Sequence, residues 1–156
     1  MEMTTKEIEN DIYSTFAGIA SAIGYSEIHG RIIAVLLVEQ EPLSIQEISK
    51  KTGYSLSSIS SSLDLLEIFG MIKKIKKPAD KKLYVKLEGD ILNGLKKAFT
   101  VKIQKNVTET LQKFDEYEKE LKEKRNLKTL KVLKRLKKEV QRLDRYISIL
   151  SKINLP

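Results

Sequence analysis

Six serines occupy the eight positions from 55 to 62, and seven lysines follow between 73 and 89 against only Asp80 and Glu88. Serine hydroxyls both donate and accept neutral hydrogen bonds, so they suit phosphate oxygens and the edges of either base-pair type. Lysine ammoniums are compact point charges that suit phosphates. The chemistry this pairing supports is non-covalent recognition of a polyanion. Catalysis is poorly served. His29 is the only histidine and cysteine is absent, so no thiolate metal site, cysteine nucleophile or disulfide is available. Any Ser-His-Asp set would have to use that one imidazole, no Gly-rich phosphate loop occurs, and a metal site needs several ligands. His29 reads as a surface or core-edge residue, and carboxylate pairs such as Asp115/Glu116 as solvated helix faces. No enzyme activity, cofactor or metal is expected.

Charge is unevenly placed. Residues 1–72 hold four basic and ten acidic residues, a net of −6; residues 73–89 are net +5; residues 90–156 hold 18 basic and nine acidic residues, a net of +9. These sum to the chain's +8. Positive charge confined to one short segment and a long tail is what a footprint on a polyanion requires; the plainer alternative is a solvated lysine-rich surface. With 41% hydrophobic residues the chain has enough apolar material for a modest core. No apolar run approaches the roughly 18 residues of a membrane span. The opening MEMTTKEIEND is acidic and polar, so no signal peptide is expected there, and a cytoplasmic address is the default.

The elements that would position these side chains follow from periodicity. Ile8, Ile12, Phe16, Ile19, Ala20 and Ile23 step by threes and fours, predicting an amphipathic helix over about 5–23 that Gly24 ends. Ser26 is placed to cap a second helix with Ile28, Ile32, Ile33, Leu36 and Leu37 inward, stopping before Pro42. Ser44, with Glu47 three residues on, has capping-box spacing for a short helix to Thr52, closed by Gly53. Ser55 caps a fourth helix, with Ile59, Leu63, Leu66 and either Ile68 or Phe69 inward, ending at Gly70. The period then changes. Residues 71–75 and 83–87 are β-rich around Pro78-Ala79-Asp80, predicting a hairpin with proline second in the turn. Asp90 caps a long helix to about Glu123, with Leu95, Phe99, Ile103, Val107, Leu111, Phe114, Tyr117 and Leu121 inward. After a break near Asn126, Leu133, Leu136, Val140, Leu143, Ile147 and Leu150 form a coiled-coil seam.

The stretch LSIQEISKKTGYSLSSISSSLDLLEIFG at 43–70 is thus a short helix, a Gly-containing turn and a second helix, a helix-turn-helix unit. Ile48, Ile59 and Leu63 would lock its two helices together, and the basic hairpin follows where a wing belongs. The stretch resembles the winged-helix core of MarR-type regulators, and Gly30-Arg31-Ile32 resembles the GbsR-like branch. The resemblance covers residues 5–90 and extends in architecture to the long C-terminal helices. It implies a homodimer built from terminal helices, bound to double-stranded DNA. It also implies a small-molecule effector, for which no residue is named. Carried onto this chain, recognition-helix contacts fall on Ser55, Leu56, Ser57, Ser58, Ser60 and Ser61, and wing contacts on Lys76, Lys77, Lys81 and Lys82. One departure is plain: the family usually has Lys or Arg near the start of this helix, whereas the outward face here is nearly all serine. That shifts affinity toward the wing and the phosphate backbone.

The expected fold is therefore mainly α with a small β-hairpin wing. A winged helix-turn-helix lobe would span 26–89, with a helical dimerisation region at 1–25 and 90–156. The expected function is a sequence-specific transcription regulator, with residues 55–68 in a major groove and the wing, 71–87, on the adjacent backbone or minor groove. Two alternatives stay open, a winged-helix protein-interaction module and a sequence-tolerant chromosomal DNA binder. Each signal has a bland counterpart: an exposed polar helix face for the serines, edge-strand protection for the lysines, and packing within one chain for the seam. Serine is nonetheless a poor helix former, and a merely solvated face would more often use Glu, Lys or Ala.

Overall fold

The structure, a computed structural model, describes residues 2–156. Helices α1 (Thr5–Ile23) and α2 (Glu27–Glu39) precede strand β1 (Leu43–Ser44), helix α3 (Ile45–Thr52) and helix α4 (Leu56–Ile68). Strands β2 (Ile72–Lys76) and β3 (Leu83–Leu87) follow, then helices α5 (Ile91–Glu123) and α6 (Leu127–Lys152). The chain divides into two compact units, residues 1–95 and 96–156, with α5 running from the first into the second.

In the first unit the core is Ile32, Val35, Ile48, Ile59, Leu63 and Val85, all without exposed surface. They come from α2, α3, α4 and β3, so burial of one apolar set holds the helix-turn-helix to the sheet. Two helix starts carry capping boxes. Thr4 and Ser44 accept from the backbone N–H of Glu7 and Glu47, and both glutamates return the bond in capping boxes. Those backbone bonds hold the Glu7 and Glu47 carboxyls below the usual carboxylate range. Ser26 occupies its N-cap position but makes no side-chain cap bond.

Gly30 sits where α1 crosses α2. A Cβ there would lie 2.0 Å from the Phe16 carbonyl oxygen, so the crossing requires a residue without one. The tight approach buries Ala17 and leaves the bulkier part of the α1 stripe uncovered. Ile8 and Ile19, expected inward, are exposed, while Ile12, Phe16, Ala20 and Ile23 are half-buried.

The wing is a three-stranded sheet of order β1-β3-β2, not a lone hairpin. Leu43 pairs with Val85 and Ser44 with Tyr84, and β2 runs antiparallel to β3 from Ile72↔Leu87 to Lys76↔Leu83. Two residues are too few to show alternation, so β1 leaves no periodic signal. At the end of α4 the open choice falls to Phe69, which is buried, against Ile68, which is 76% exposed.

In the second unit, Asn126 caps α6 by accepting from the Thr129 N–H, so the expected break makes two helices. Gln104 on α5 donates to Asp144 on α6, and Lys137 on α6 binds Asp115 and Glu118 on α5. Ala98, Val107, Leu130, Leu133 and Ile147 are buried. The expected seam is only partly covered. Leu136 and Leu143 are exposed, as are Phe99 and Tyr117 of α5. A single α-helical neighbour covers one side of a two-residue-wide stripe and leaves the other side open.

Candidate nucleic-acid interface

Three polar bonds set the turn that delivers α4. Ser49 Oγ donates to the Tyr54 carbonyl at 2.6 Å, Thr52 Oγ1 donates to the Ile48 carbonyl at 2.7 Å, and the Gly53 N–H donates to the Ser49 carbonyl at 2.8 Å. Gly53 has φ +78°, the left-handed conformation glycine adopts without steric cost. The chain reverses within three residues, and Ser55 Oγ then accepts from the Ser58 N–H at 3.2 Å to begin α4.

Ile59, Ser62 and Leu63 face the core, and Ser62 donates to the Ser58 carbonyl at 2.8 Å. Ser55, Leu56, Ser57, Ser58, Ser60 and Ser61 are all exposed, so every residue singled out on this helix lies on its outer surface. Several hydroxyls are held locally: Ser55 bonds Ser58 at 2.9 Å, and Ser61 donates to the Ser57 carbonyl at 3.0 Å. Such hydroxyls keep acceptor lone pairs facing outward.

The start of α4 differs from those of α1 and α3 in one residue. Thr4 and Ser44 are followed three positions on by glutamate, but Ser55 is followed by Ser58, and no acid occupies the first turn of α4. The partial positive charge of this 13-residue helix's N-terminus therefore meets no carboxylate of its own.

The wing tip is pinned. The Asp80 N–H donates to the Lys77 carbonyl at 3.2 Å, closing a β-turn with Pro78 second. Asp80 then accepts from the Lys82 N–H at 3.0 Å and the Tyr84 hydroxyl at 2.7 Å. The Tyr84 bond is the main reason its carboxyl sits below the usual range. Lys77 Nζ lies 4.0 Å from the centre of the Tyr84 ring, a cation–π distance. Lys76, Lys77, Lys81 and Lys82 are exposed and, among the described residues, form no ion pair.

The lysines of the hairpin are not equivalent. Lys74 on β2 is held by Asp64 and Glu67 of α4, the Glu67 contact being 3.2 Å, and Lys73 reaches Glu88 at 3.9 Å. The bond to Asp64 raises the Lys74 pKa above its ordinary value. Counting charge along the chain treats all seven lysines alike and misses this strut. Its signal was present in Asp64 and Glu67, two acids three apart on an otherwise serine-faced helix.

His29 is half-buried edge-on to Tyr25, with Nδ1 3.1 Å from the Ser26 carbonyl, and burial lowers its pKa. Among the described residues no group of three or more His, Cys, Asp or Glu could hold a metal ion, and no helix is long and apolar enough to cross a membrane.

No family model matches this chain, and no curated protein matches it. Solved structures do. A crystal structure of a transcriptional regulator superposes with a TM-score of 0.64 at 18% identity, covering 93% of this chain and 97% of the other. At that identity the likeness shows a shared fold, the winged helix with long terminal helices. Apo MarR from E. coli matches at TM-score 0.44 and 14% identity, covering 63% of this chain and 75% of its own. A MepR point mutant from S. aureus, bound to an oligodeoxyribonucleotide, matches at TM-score 0.44 and 18% identity, covering 85% and 99%.

Proposed function

We propose that this chain is a MarR-type, double-stranded DNA-binding transcription regulator that acts as a homodimer. The N-terminal half of α4 enters a major groove through Ser55, Leu56, Ser57, Ser58, Ser60 and Ser61. The wing lays Lys76, Lys77, Lys81 and Lys82 on the adjacent backbone or minor groove. The observation that carries this reading is a helix presenting an acid-free N-terminus and an exposed hydroxyl face, strutted through Lys74 to a lysine-tipped wing. Such a helix end and such a tip both suit phosphate. The structure sharing the fold over 93% of the chain is itself of a transcriptional regulator.

The dimer reading rests on apolar surface that one chain leaves bare. On α1 a groove of about 240 Å³ is lined by Met3, Ile8, Ile12 and Phe16. In the second unit a groove of about 320 Å³ is lined by Tyr117, Leu121, Val132, Leu133 and Leu136, together with Glu120, Lys124 and Thr129. Uncovered apolar side chains gathered into grooves on these helices suit a second copy as their cover. Residues 1–25 and 90–156 are accordingly assigned to dimerisation and 26–89 to DNA, and a chromosomal partner places the protein in the cytoplasm.

Selection of bound duplexes from a random pool tests the reading. Enrichment of a palindrome with two half-sites supports it. Equal recovery of all duplexes would favour the sequence-tolerant binder, which the absence of Arg or Asn on the α4 face also suits. No recovery would leave the protein-interaction module.

A further inference from the structure

We propose that the solvent face of α6 is a second polyanion-binding surface, made for the sugar-phosphate backbone of duplex DNA by residues other than those of α4 and the wing. It shares a partner with the function proposed for α4 and the wing but none of its residues.

Helix α6 carries nine basic residues and two acidic ones. Its buried side is marked by Leu130, Leu133 and Ile147, with Asp144 turned to Gln104 of α5. At 100° per residue, Lys131, Lys134, Arg135, Lys138, Arg142 and Arg145 fall together on the opposite side, and all six are exposed. From Lys131 to Arg145 they span about 21 Å at 1.5 Å per residue, one cation per roughly 4 Å. Phosphates along one DNA strand recur every 3.4 Å or so.

The charge pattern is not that of a solvated helix. α5 and the turn after it interleave their signs through Lys105–Glu109, Glu118–Lys122 and Glu120–Lys124, all four apart. On α6 the neighbours three and four apart are cation beside cation, which destabilises an isolated helix. Glu139 pairs with Arg142 at 3.0 Å from the edge of the face and, among the described residues, is the only acid in an ion pair with it. The one lysine turned toward α5, Lys137, is neutralised by Asp115 and Glu118. Inward charge is paired while outward charge is left open, which suits a partner that supplies the anions.

The same residues argue against a lipid surface. A helix lying on a membrane interleaves its cations with side chains that insert; here the exposed Leu127 and Ile149 share the face but lie one turn before Lys131 and one turn after Arg145, and the six cations between them run without an apolar residue. Exposed Val132, Leu136 and Leu143 lie about a third of a turn away, on the side assigned to the dimer.

The test uses the full chain and three variants, each checked for helicity and molar mass. One replaces all six cations with Gln, which keeps helix propensity. A milder one carries only Lys138→Gln and Arg142→Gln. The third carries Ser58→Glu with the four wing lysines changed to Ala. Binding to a short random-sequence duplex is followed by anisotropy against salt, and binding to phosphatidylserine vesicles in parallel. The expected result is residual salt-sensitive duplex binding in the α4–wing variant and weaker, less salt-sensitive duplex binding in the six-Gln variant than in the parent. The slope of log affinity against log salt should fall by about 0.9 for each phosphate no longer neutralised, in proportion for the milder variant. An unchanged slope in both Gln variants overturns this proposal alone. Loss of vesicle binding with duplex binding intact overturns it in favour of lipid. Loss of duplex binding only on changing α6 upholds it and overturns the α4–wing interface, whereas a parent chain that binds no duplex overturns both.

Discussion

Glu67 on α4 and Lys74 on β2 form an ion pair at 3.2 Å, and Asp64, one turn earlier on the same helix, shares the ammonium. The shared ammonium ties helix to wing. Lys74→Ala should cost only about 0.5–1 kcal/mol, the scale of a partly exposed pair, while weakening discrimination between duplexes more than overall affinity. Lys76→Ala should do the reverse. Because the Lys74 pKa is raised, the strut is fully present below the ordinary lysine pKa and is lost as pH rises through the folded value. Melting and duplex competition on the two variants check this; equal effects would mean the strut has no role in register.

The four free wing lysines should supply sequence-independent affinity. Replacing Lys76, Lys77, Lys81 and Lys82 by Ala removes up to about four phosphate-binding ammoniums per protomer, and the salt slope should fall by about 0.9 for each. A salt titration that leaves the slope unchanged would mean the wing points away from DNA.

Gly30 and Gly18 should respond oppositely to alanine. At Gly30 a methyl would lie 2.0 Å from the Phe16 carbonyl oxygen, so α1 must shift, at a cost of about 1–3 kcal/mol or more. At Gly18 nothing lies within 4 Å, and alanine should stabilise α1 by about 0.5–1 kcal/mol. Denaturant midpoints decide; equal shifts would place the helix crossing elsewhere.

Light scattering at micromolar concentration should give a dimer, and Leu136→Lys with Leu143→Lys should give a folded monomer. Both leucines are already exposed in the single chain, so the charges have no core to disrupt. A parent chain that is monomeric, or a variant that stays dimeric, removes those two side chains from the interface.

The helices were legible because their ends carry local chemistry. Gly24 after α1, Ser44 with glutamate three on, Gly53 after α3, and the break near Asn126 before α6 are signals within one turn of the residues they govern. What was hidden was tertiary. Strand β1 is two residues long and is defined by pairing with β3, some 40 positions later in the chain. Periodicity placed Ile8, Ile19, Leu136 and Leu143 on apolar stripes, but a stripe does not say whether its cover comes from the same chain. All ten singled-out serine, leucine and lysine positions are on the surface, because the buried Ile59 and Leu63 fix α4 and the Pro78 turn fixes the wing. Lys74 is counted with the others because Asp64 and Glu67 hold it across a helix–strand contact, and their spacing on α4 does not say which lysine they hold.

Ser58→Glu separates a recognition helix from a merely polar one. Ser58 stands where α1 and α3 carry Glu7 and Glu47, three residues after a capping serine or threonine. The substitution therefore completes a capping box with Ser55, and α4 should be unchanged or firmer by up to about 1 kcal/mol. As with Glu7 and Glu47, whose backbone bonds lower their pKa, that gain exists above the ordinary glutamate pKa. It is lost as pH falls through the lowered folded value. The same carboxylate would meet phosphate or a base edge across a desolvated contact, where like charges cost several kcal/mol. A melting temperature held or raised, together with duplex binding reduced a hundredfold or more, is the expected outcome at neutral pH. Undiminished binding would remove α4 from the groove and bring the protein-interaction reading forward. A variant that unfolds would mean that Ser58 faces inward, contrary to its exposure here.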